Sequence, residues 1–211
     1  MELCVVYKIA GLIIFAYLLG SIPWGLLLTR CFSSVNILEQ GSGNIGATNV
    51  RRLAGSHFGL MTLVGDVLKG LIPVFLARYM LGVEGIGSQL FIYIVALSSF
   101  LGHLFPIYLK FKNGGKGVAT TFGCFLVISP WGCLASLLTF IVVICISNRV
   151  SIGSLCASAV LPIAVWIETG LSVLAVCTMI FTIMIFLRHI DNIKRILRGT
   201  ESVIWKKSRI R

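Results

Sequence analysis

The stretch GVATTFGCFLVISPWGCLASLLTFIVVICIS, Gly117 to Ser147, carries no charged side chain and one interruption, Ser129-Pro130-Trp131-Gly132. A helix needs about 20 apolar residues to cross a hydrocarbon core of about 30 Å. As one helix the stretch is far too long; as two, each is short and needs a thinned bilayer or protein cover. The proline and glycine favour two helices with a turn between them. Working outward, the chain reads as seven apolar spans: Ile9 to Leu28, Phe58 to Leu81, Ile86 to Leu109, Val118 to Ser129, Trp131 to Ser147, Ile152 to Ile167 and Leu171 to Leu187. Glu168-Thr169-Gly170 separates the last two.

Composition agrees with an integral membrane protein. Apolar residues make up 57% of the chain and charged residues 12%, and mean hydropathy is +1.00; a water-soluble domain of this size would expose large apolar patches. The net charge of +11 would suggest nucleic acid in a soluble protein. Here the cations sit at the ends of apolar runs, where they set topology and meet anionic lipid or phosphate, so no nucleic-acid partner is expected.

Their distribution orients the chain. With an outside amino terminus and seven spans, Arg30, Arg51, Arg52, Lys110, Lys112, Lys116 and Arg149 fall inside. The tail adds Arg188, Lys194, Arg195, Arg198, Lys206, Lys207, Arg209 and Arg211, making fifteen of the eighteen cations. Six spans would put the basic tail outside, against the positive-inside bias. The expected fold is therefore all-α, a single membrane domain over residues 1–211, with seven transmembrane helices and a cytoplasmic carboxyl terminus. The run from Ile9 lacks the basic start of a cleaved export signal and reads as a retained span. The seven cysteines show no metal-ligand spacing, and neither a metal nor a disulfide is expected.

Three polar segments follow spans and share the inner side under this parity. In Lys112-Asn113-Gly114-Gly115-Lys116-Gly117, consecutive glycines can turn backbone N–H groups towards one anion, with the next helix amino terminus and Lys116 adding positive charge. No Ser or Thr follows the lysine, so this is not a Walker loop; the alternative to a phosphate cradle is a flexible basic turn between spans. Ser42-Gly43-Asn44-Ile45-Gly46-Ala47-Thr48-Asn49 offers many small hydrogen-bonding groups, and Arg52 adds a planar fork for phosphate or carboxylate. The stretch also fits an ordinary interfacial turn, with Arg51 a solvated or lipid-facing cation. His189 and Asn192 are three residues apart, so a helix continuing past Leu187 would set them on one face. There a proton-moving imidazole and a hydrogen-bonding amide would sit together, or the segment is a basic tail on anionic lipid.

Two intramembrane features need separate readings. Asp66 and Lys69, three apart in the second span, are expected to form a structural ion pair, because lone charges at membrane depth cost at least about 2.5 kcal/mol each. His103, near the end of the third span, is expected to bond a freed backbone carbonyl.

In order, the chain reads Gly-Ser-Gly-Asn-x-Gly-Ala-Thr-Asn-x-x-Arg at 41–52, Gly-His-x-Phe-Pro at 102–106, Gly-Gly-Lys-Gly-Val-Ala-Thr at 114–120 and His-x-x-Asn-Ile-x-Arg-x-x-x-Gly-x-Glu at 189–201. With Gly20-Ser21-Ile22-Pro23 and Asp66-x-x-Lys69-Gly70, the set resembles the bacterial acyl-phosphate:glycerol-3-phosphate acyltransferases of the PlsY type over nearly the whole chain. That resemblance implies a multi-pass enzyme of the cell (inner) membrane, active on the cytoplasmic face. It would transfer a fatty acyl group from acyl phosphate to the sn-1 hydroxyl of glycerol 3-phosphate, in phospholipid biosynthesis. By motif position, Ser42, Lys116, His189 and Asn192 would be catalytic. Asn44, Thr48, Arg52, Gly114, Gly115, Lys116 and Gly117 would bind substrate, while Glu201 matches an acidic position with a structural role equally open. Acyl phosphate is already activated, so no cofactor is implied; the partners are the two substrates and membrane lipid. Asn113 lengthens the segment before the double glycine relative to the usual spelling, and His57 stands where a basic residue is common.

Two other functions fit the residues less well. A transporter for organic phosphates calls for a midplane site reached from both faces, and neither paired broken helices nor inverted halves are read here. A lipid-associated scaffold would explain the basic tail but not the glycine-rich loops. Acyl-chain preference and oligomeric state have no signature in the sequence.

Overall fold

The structure, a computed structural model, describes residues 2–81 and 85–205. Lys206, Lys207, Arg209 and Arg211 of the expected inner tail lie outside the described residues. Among those described, every regular element is helical, and the chain forms two compact units that meet in sequence between Ile128 and Ser129.

The first unit holds α1 (Glu2–Gly20), α2 (Trp24–Phe32), α3 (Ala47–Ala54), α4 (Ser56–Leu81), α5 (Gly85–Leu104), a 3₁₀ turn (Ile107–Leu109) and α6 (Val118–Ile128). Helix α4 is its centre, touching α1, α2, α3, α5 and α6. It approaches α6 through glycines: a side chain on Gly70 would strike the Thr120 carbonyl, and one on Gly123 would strike that of Val67. Small residues let helix backbones close up in this way where lipid offers no hydrophobic drive for association. The Arg78 guanidinium donates to the Val127 carbonyl at the far end of α6.

The second unit holds α7 (Pro130–Ser147), α8 (Val150–Thr169), α9 (Ser172–Arg188) and α10 (Ile190–Leu197). Both expected interruptions are present. Ser129 alone separates α6 from α7, and Gly170, left-handed at φ +67°, ends α8. The Glu168 carboxylate accepts from the Ser129 hydroxyl and, at 2.8 Å, from the Gly132 N–H, serving the open amino end of α7.

Two prolines lie inside helices, and each leaves a carbonyl one turn earlier without its N–H partner. In α4 the carbonyl freed by Pro73 is that of Lys69, and the Ser99 hydroxyl on α5 donates to it at 2.6 Å. In α8 the carbonyl freed by Pro162 is that of Ser158, and the Thr182 hydroxyl on α9 donates to it at 2.7 Å. Each unit thus repairs its proline with a hydroxyl from a neighbouring helix, as a low-dielectric surrounding demands.

The spans differ from expectation in two places, the first and the last, while α6 is as short as expected. By length and apolarity four helices qualify singly, Ser56–Leu81, Gly85–Leu109, Pro130–Ser147 and Val150–Thr169, and two bent pairs raise the number to six. The remaining expected span, α6, has 11 residues and rises only about 16 Å. The first span, expected unbroken from Ile9 to Leu28, breaks at Ser21-Ile22-Pro23 and bends by 44°. The last does not continue as one helix through His189: α9 and α10 meet there at 58°. Broken helices, not expected from the sequence, are therefore present twice.

Candidate active site

The first polar segment becomes a loop over a small apolar core. Leu26, Ile37, Ile45 and Val50 are buried beneath it. Gly41 and Gly43 are both left-handed at φ +65°, and the turn they make is tied to a single buried amide. Asn49 accepts from the Ser42 N–H at 3.0 Å, and its Nδ2 donates to the carbonyls of Ile37 (3.1 Å), Gln40 (3.4 Å) and Asn44 (3.0 Å). With Asn49 facing inward at the start of α3, Ser42, Thr48, Arg51 and Arg52 stay on the exposed side. Asn49 was readable only as one polar residue of the motif; its part as the loop's internal post depends on burial.

The glycine loop lies flat on the end of α5. A side chain on Gly114 would strike the Leu104 carbonyl and Pro106, one on Gly115 the His103 ring, and one on Gly117 the Phe100 ring. The Gly115 N–H donates to the His103 carbonyl at 3.0 Å. Lys116, between them, is half-buried. Ahead of the glycines, Lys110, Phe111 and Asn113 are all left-handed, at φ 53°, 62° and 54°. Such a run is uncommon without glycine and is found where surrounding structure holds a functional turn in place. The extra Asn113 occupies one of these positions, which asparagine tolerates best.

These two segments meet. The Asn44 side chain accepts from the Gly46 N–H at 2.9 Å and donates to the Gly114 carbonyl at 3.4 Å, joining residues 70 apart in sequence.

Behind them lies the expected ion pair. Lys69 Nζ is 2.9 Å from Asp66 Oδ1, and it also donates to the Ile22 carbonyl at 3.0 Å, at the break between α1 and α2. The freed carbonyl is thus served by Lys69. His103, expected to bond such a carbonyl, places Nδ1 3.6 Å from Asp66 Oδ1.

The third segment belongs to the second unit. At the α9–α10 junction His189 is buried, with Nδ1 2.8 Å from the Ile185 carbonyl. A carbonyl only accepts, so Nδ1 carries a proton, and in a neutral ring the lone pair then lies on Nε2. Asn192, also buried, donates to Glu201 Oε1 at 2.7 Å; Ser151 donates to the same oxygen at 2.8 Å and Arg195 to Oε2 at 2.8 Å. Burial pushes the Glu201 carboxyl up, but the hydrogen bonds from Arg195, Asn192 and Ser151 outweigh it and hold the group below its usual range. Glu201 therefore fixes Asn192 from behind. The chain beyond it is clamped by Asn148, whose Oδ1 accepts from Ile204 N–H (3.1 Å) and Trp205 N–H (2.9 Å) while its Nδ2 donates to the Trp205 carbonyl (2.8 Å).

Residues 10–199 match the family model described as glycerol-3-phosphate acyltransferase. A glycerol-3-phosphate acyltransferase of Syntrophotalea carbinolica is 46% identical over 189 residues, covering 89% of this chain and 93% of that protein. One of Geotalea daltonii is 45% identical over 192 residues, covering 91% and 95%. Among solved structures, the glycerol 3-phosphate form of PlsY (YgiH), an integral membrane glycerol 3-phosphate acyltransferase, superposes with a TM-score of 0.87 at 33% identity. That match covers 94% of this chain and 96% of the other. A second form of the same enzyme, with lysophosphatidic acid, gives 0.84. Sequence and backbone lead to the same place along almost the full length: this chain belongs to the glycerol-3-phosphate acyltransferase family and is of the PlsY type.

Proposed function

We propose that the protein transfers a fatty acyl group from acyl phosphate to the sn-1 hydroxyl of glycerol 3-phosphate, giving lysophosphatidate and inorganic phosphate. The work is done at the cytoplasmic face of the cell membrane by one domain of seven spans, α6 being a short one under protein cover. The observation that carries this reading is the Asn44 bond to Gly114. It links a hydroxyl- and amide-rich loop to a glycine loop with a lysine, the inventory that two phosphate-bearing substrates need.

In this mechanism Arg52, Lys116 and the N–H groups of Gly114, Lys116 and Gly117 hold the anions, each charge-assisted bond contributing about 1.5–3 kcal/mol. The Gly115 N–H, expected among them, is turned to the His103 carbonyl and holds the loop instead. Ser42, Asn44, Thr48, His189 and Asn192 align the acceptor. The hydroxyl oxygen attacks the acyl carbon, the carbon–oxygen bond to phosphate breaks, and phosphate leaves with the electron pair and takes the hydroxyl proton. His189 then positions rather than removes a proton. On this scheme His189→Gln raises KM for glycerol 3-phosphate and keeps kcat within about tenfold, whereas loss of an obligatory base lowers it by about 10²–10⁴. A steady-state comparison at saturating acyl phosphate decides between them.

The broken helices bring one observation to a transporter reading, since transporters bind solutes at such breaks. Both breaks are already filled by protein groups: Lys69 on the Ile22 carbonyl and the His189 ring on that of Ile185. The deciding experiment uses purified protein. Lysophosphatidate formed from the two substrates, and formed more slowly but still measurably by a folded Lys116→Ala variant, supports the enzyme; uptake of glycerol 3-phosphate into sealed vesicles without acyl transfer overturns it.

A further inference from the structure

The reaction above makes no use of a buried polar cluster directly behind the glycine loop. Asp66, Lys69 and His103 are 3%, 1% and 3% exposed. Lys69 accounts for itself, pairing with Asp66 and mending the α1–α2 break. A charge pair and a repaired break are complete without a histidine, so His103 is the surplus member. It meets the loop twice: its carbonyl accepts from the Gly115 N–H at 3.0 Å, and its Nε2 edge occupies the space a Gly115 side chain would take. On the opposite edge, Nδ1 faces Asp66 at 3.6 Å.

We infer that His103 is a positioning residue: Asp66 fixes the imidazole, and the imidazole fixes the backbone of Gly115, and with it the aim of Lys116 and the neighbouring N–H groups. This rests on the reading of residues 114–117 as a phosphate-holding loop. The physical need is plain. Glycine has no Cβ to limit its backbone, so three glycines in four residues leave the loop free to wander. Donors stabilise an anion well only when aimed beforehand. The ring beneath Gly115 supplies the wall that its own side chain would have made. Leu104, Pro106 and Phe100 back the other glycines, but His103 alone also faces a buried charge, with Nδ1 3.6 Å from Asp66 Oδ1, so that the field of the carboxylate favours one orientation of the ring.

The test is a set of variants in detergent, with KM measured separately for acyl phosphate and glycerol 3-phosphate and a melting temperature for each protein. Lys116→Ala first shows which of the two phosphates the loop holds, by which KM rises. His103→Asn keeps an amide facing Asp66 but withdraws from Gly115. It is expected to raise that same KM about tenfold or more, with kcat and melting temperature near those of the parent. His103→Gln, whose amide reaches the Nε2 position, is expected to recover most of the loss. If Lys116→Ala raises a KM and His103→Asn leaves it unchanged, the bracing role is wrong and the loop reading stands. If Lys116→Ala moves neither KM, the loop reading falls and the inference with it. Histidine variants that lose melting temperature and both KM values together, or that do not fold, assign His103 to folding alone and overturn the proposal.

Discussion

At the scale of single residues, Asn49 does the most with the least. One buried amide holds Ser42 in place and takes up three loop carbonyls. Asn49→Asp keeps the acceptor for the Ser42 N–H but turns a second oxygen towards those carbonyls. The lost donors alone are expected to cost about 1–3 kcal/mol, seen as a lower melting temperature, and KM for glycerol 3-phosphate is expected to rise as Ser42 shifts. Gly115→Ala is a second case: the added methyl collides with the His103 ring, and acyl transfer is expected to fall while Gly87→Ala, in α5 with open space around it, leaves activity unchanged. The turn at the glycines was legible because consecutive glycines between two apolar runs mark a break in the helix. Asn49 and His103 were not, since their meaning lies in what surrounds them and not in their spacing.

At the scale of helices, the two internal prolines make matched predictions. Ser99→Ala and Thr182→Val each leave a carbonyl without its donor. Hydrogen bonds of this kind between membrane helices are worth about 0.6–1.7 kcal/mol, and a loss of that size is expected in unfolding from detergent. Adding Pro73→Ala to Ser99→Ala restores the missing N–H within α4 and is expected to recover most of the loss; no recovery would mean that Ser99 acts in some other way. Helix positions were largely readable from apolar runs and from Pro130 and Gly170. The breaks were not: the one at Ile22 is stabilised by a lysine 47 residues away, and the one at His189 by its own ring on Ile185. No local pattern encodes either.

At the scale of the whole molecule, acid sensitivity and assembly follow from where charge is buried. Glu201 gathers Ser151, Asn192 and Arg195, and its carboxyl lies below the usual range in the folded state. An unfolded glutamate titrates near pH 4.3, so this clamp contributes fully above that value and is lost as pH falls through the lower folded one. The melting temperature is expected to hold steady from neutral pH down to about 5 and then to drop. Glu201→Gln is expected to melt lower at neutral pH and to show a shallower acid decline, which a pH series of thermal scans would check. The Asp66–Lys69 pair has a different consequence, in biogenesis. Both charges sit one turn apart on the same helix, so they can neutralise each other while α4 is in the translocon, before α5 has arrived and without help from the earlier helices. The segment enters the lipid as a dipole, and no later helix has to rescue it. Removing either partner should strand the other, and an isolated α4 with Asp66→Asn or Lys69→Gln should insert less often than the parent in a glycosylation-mapping assay.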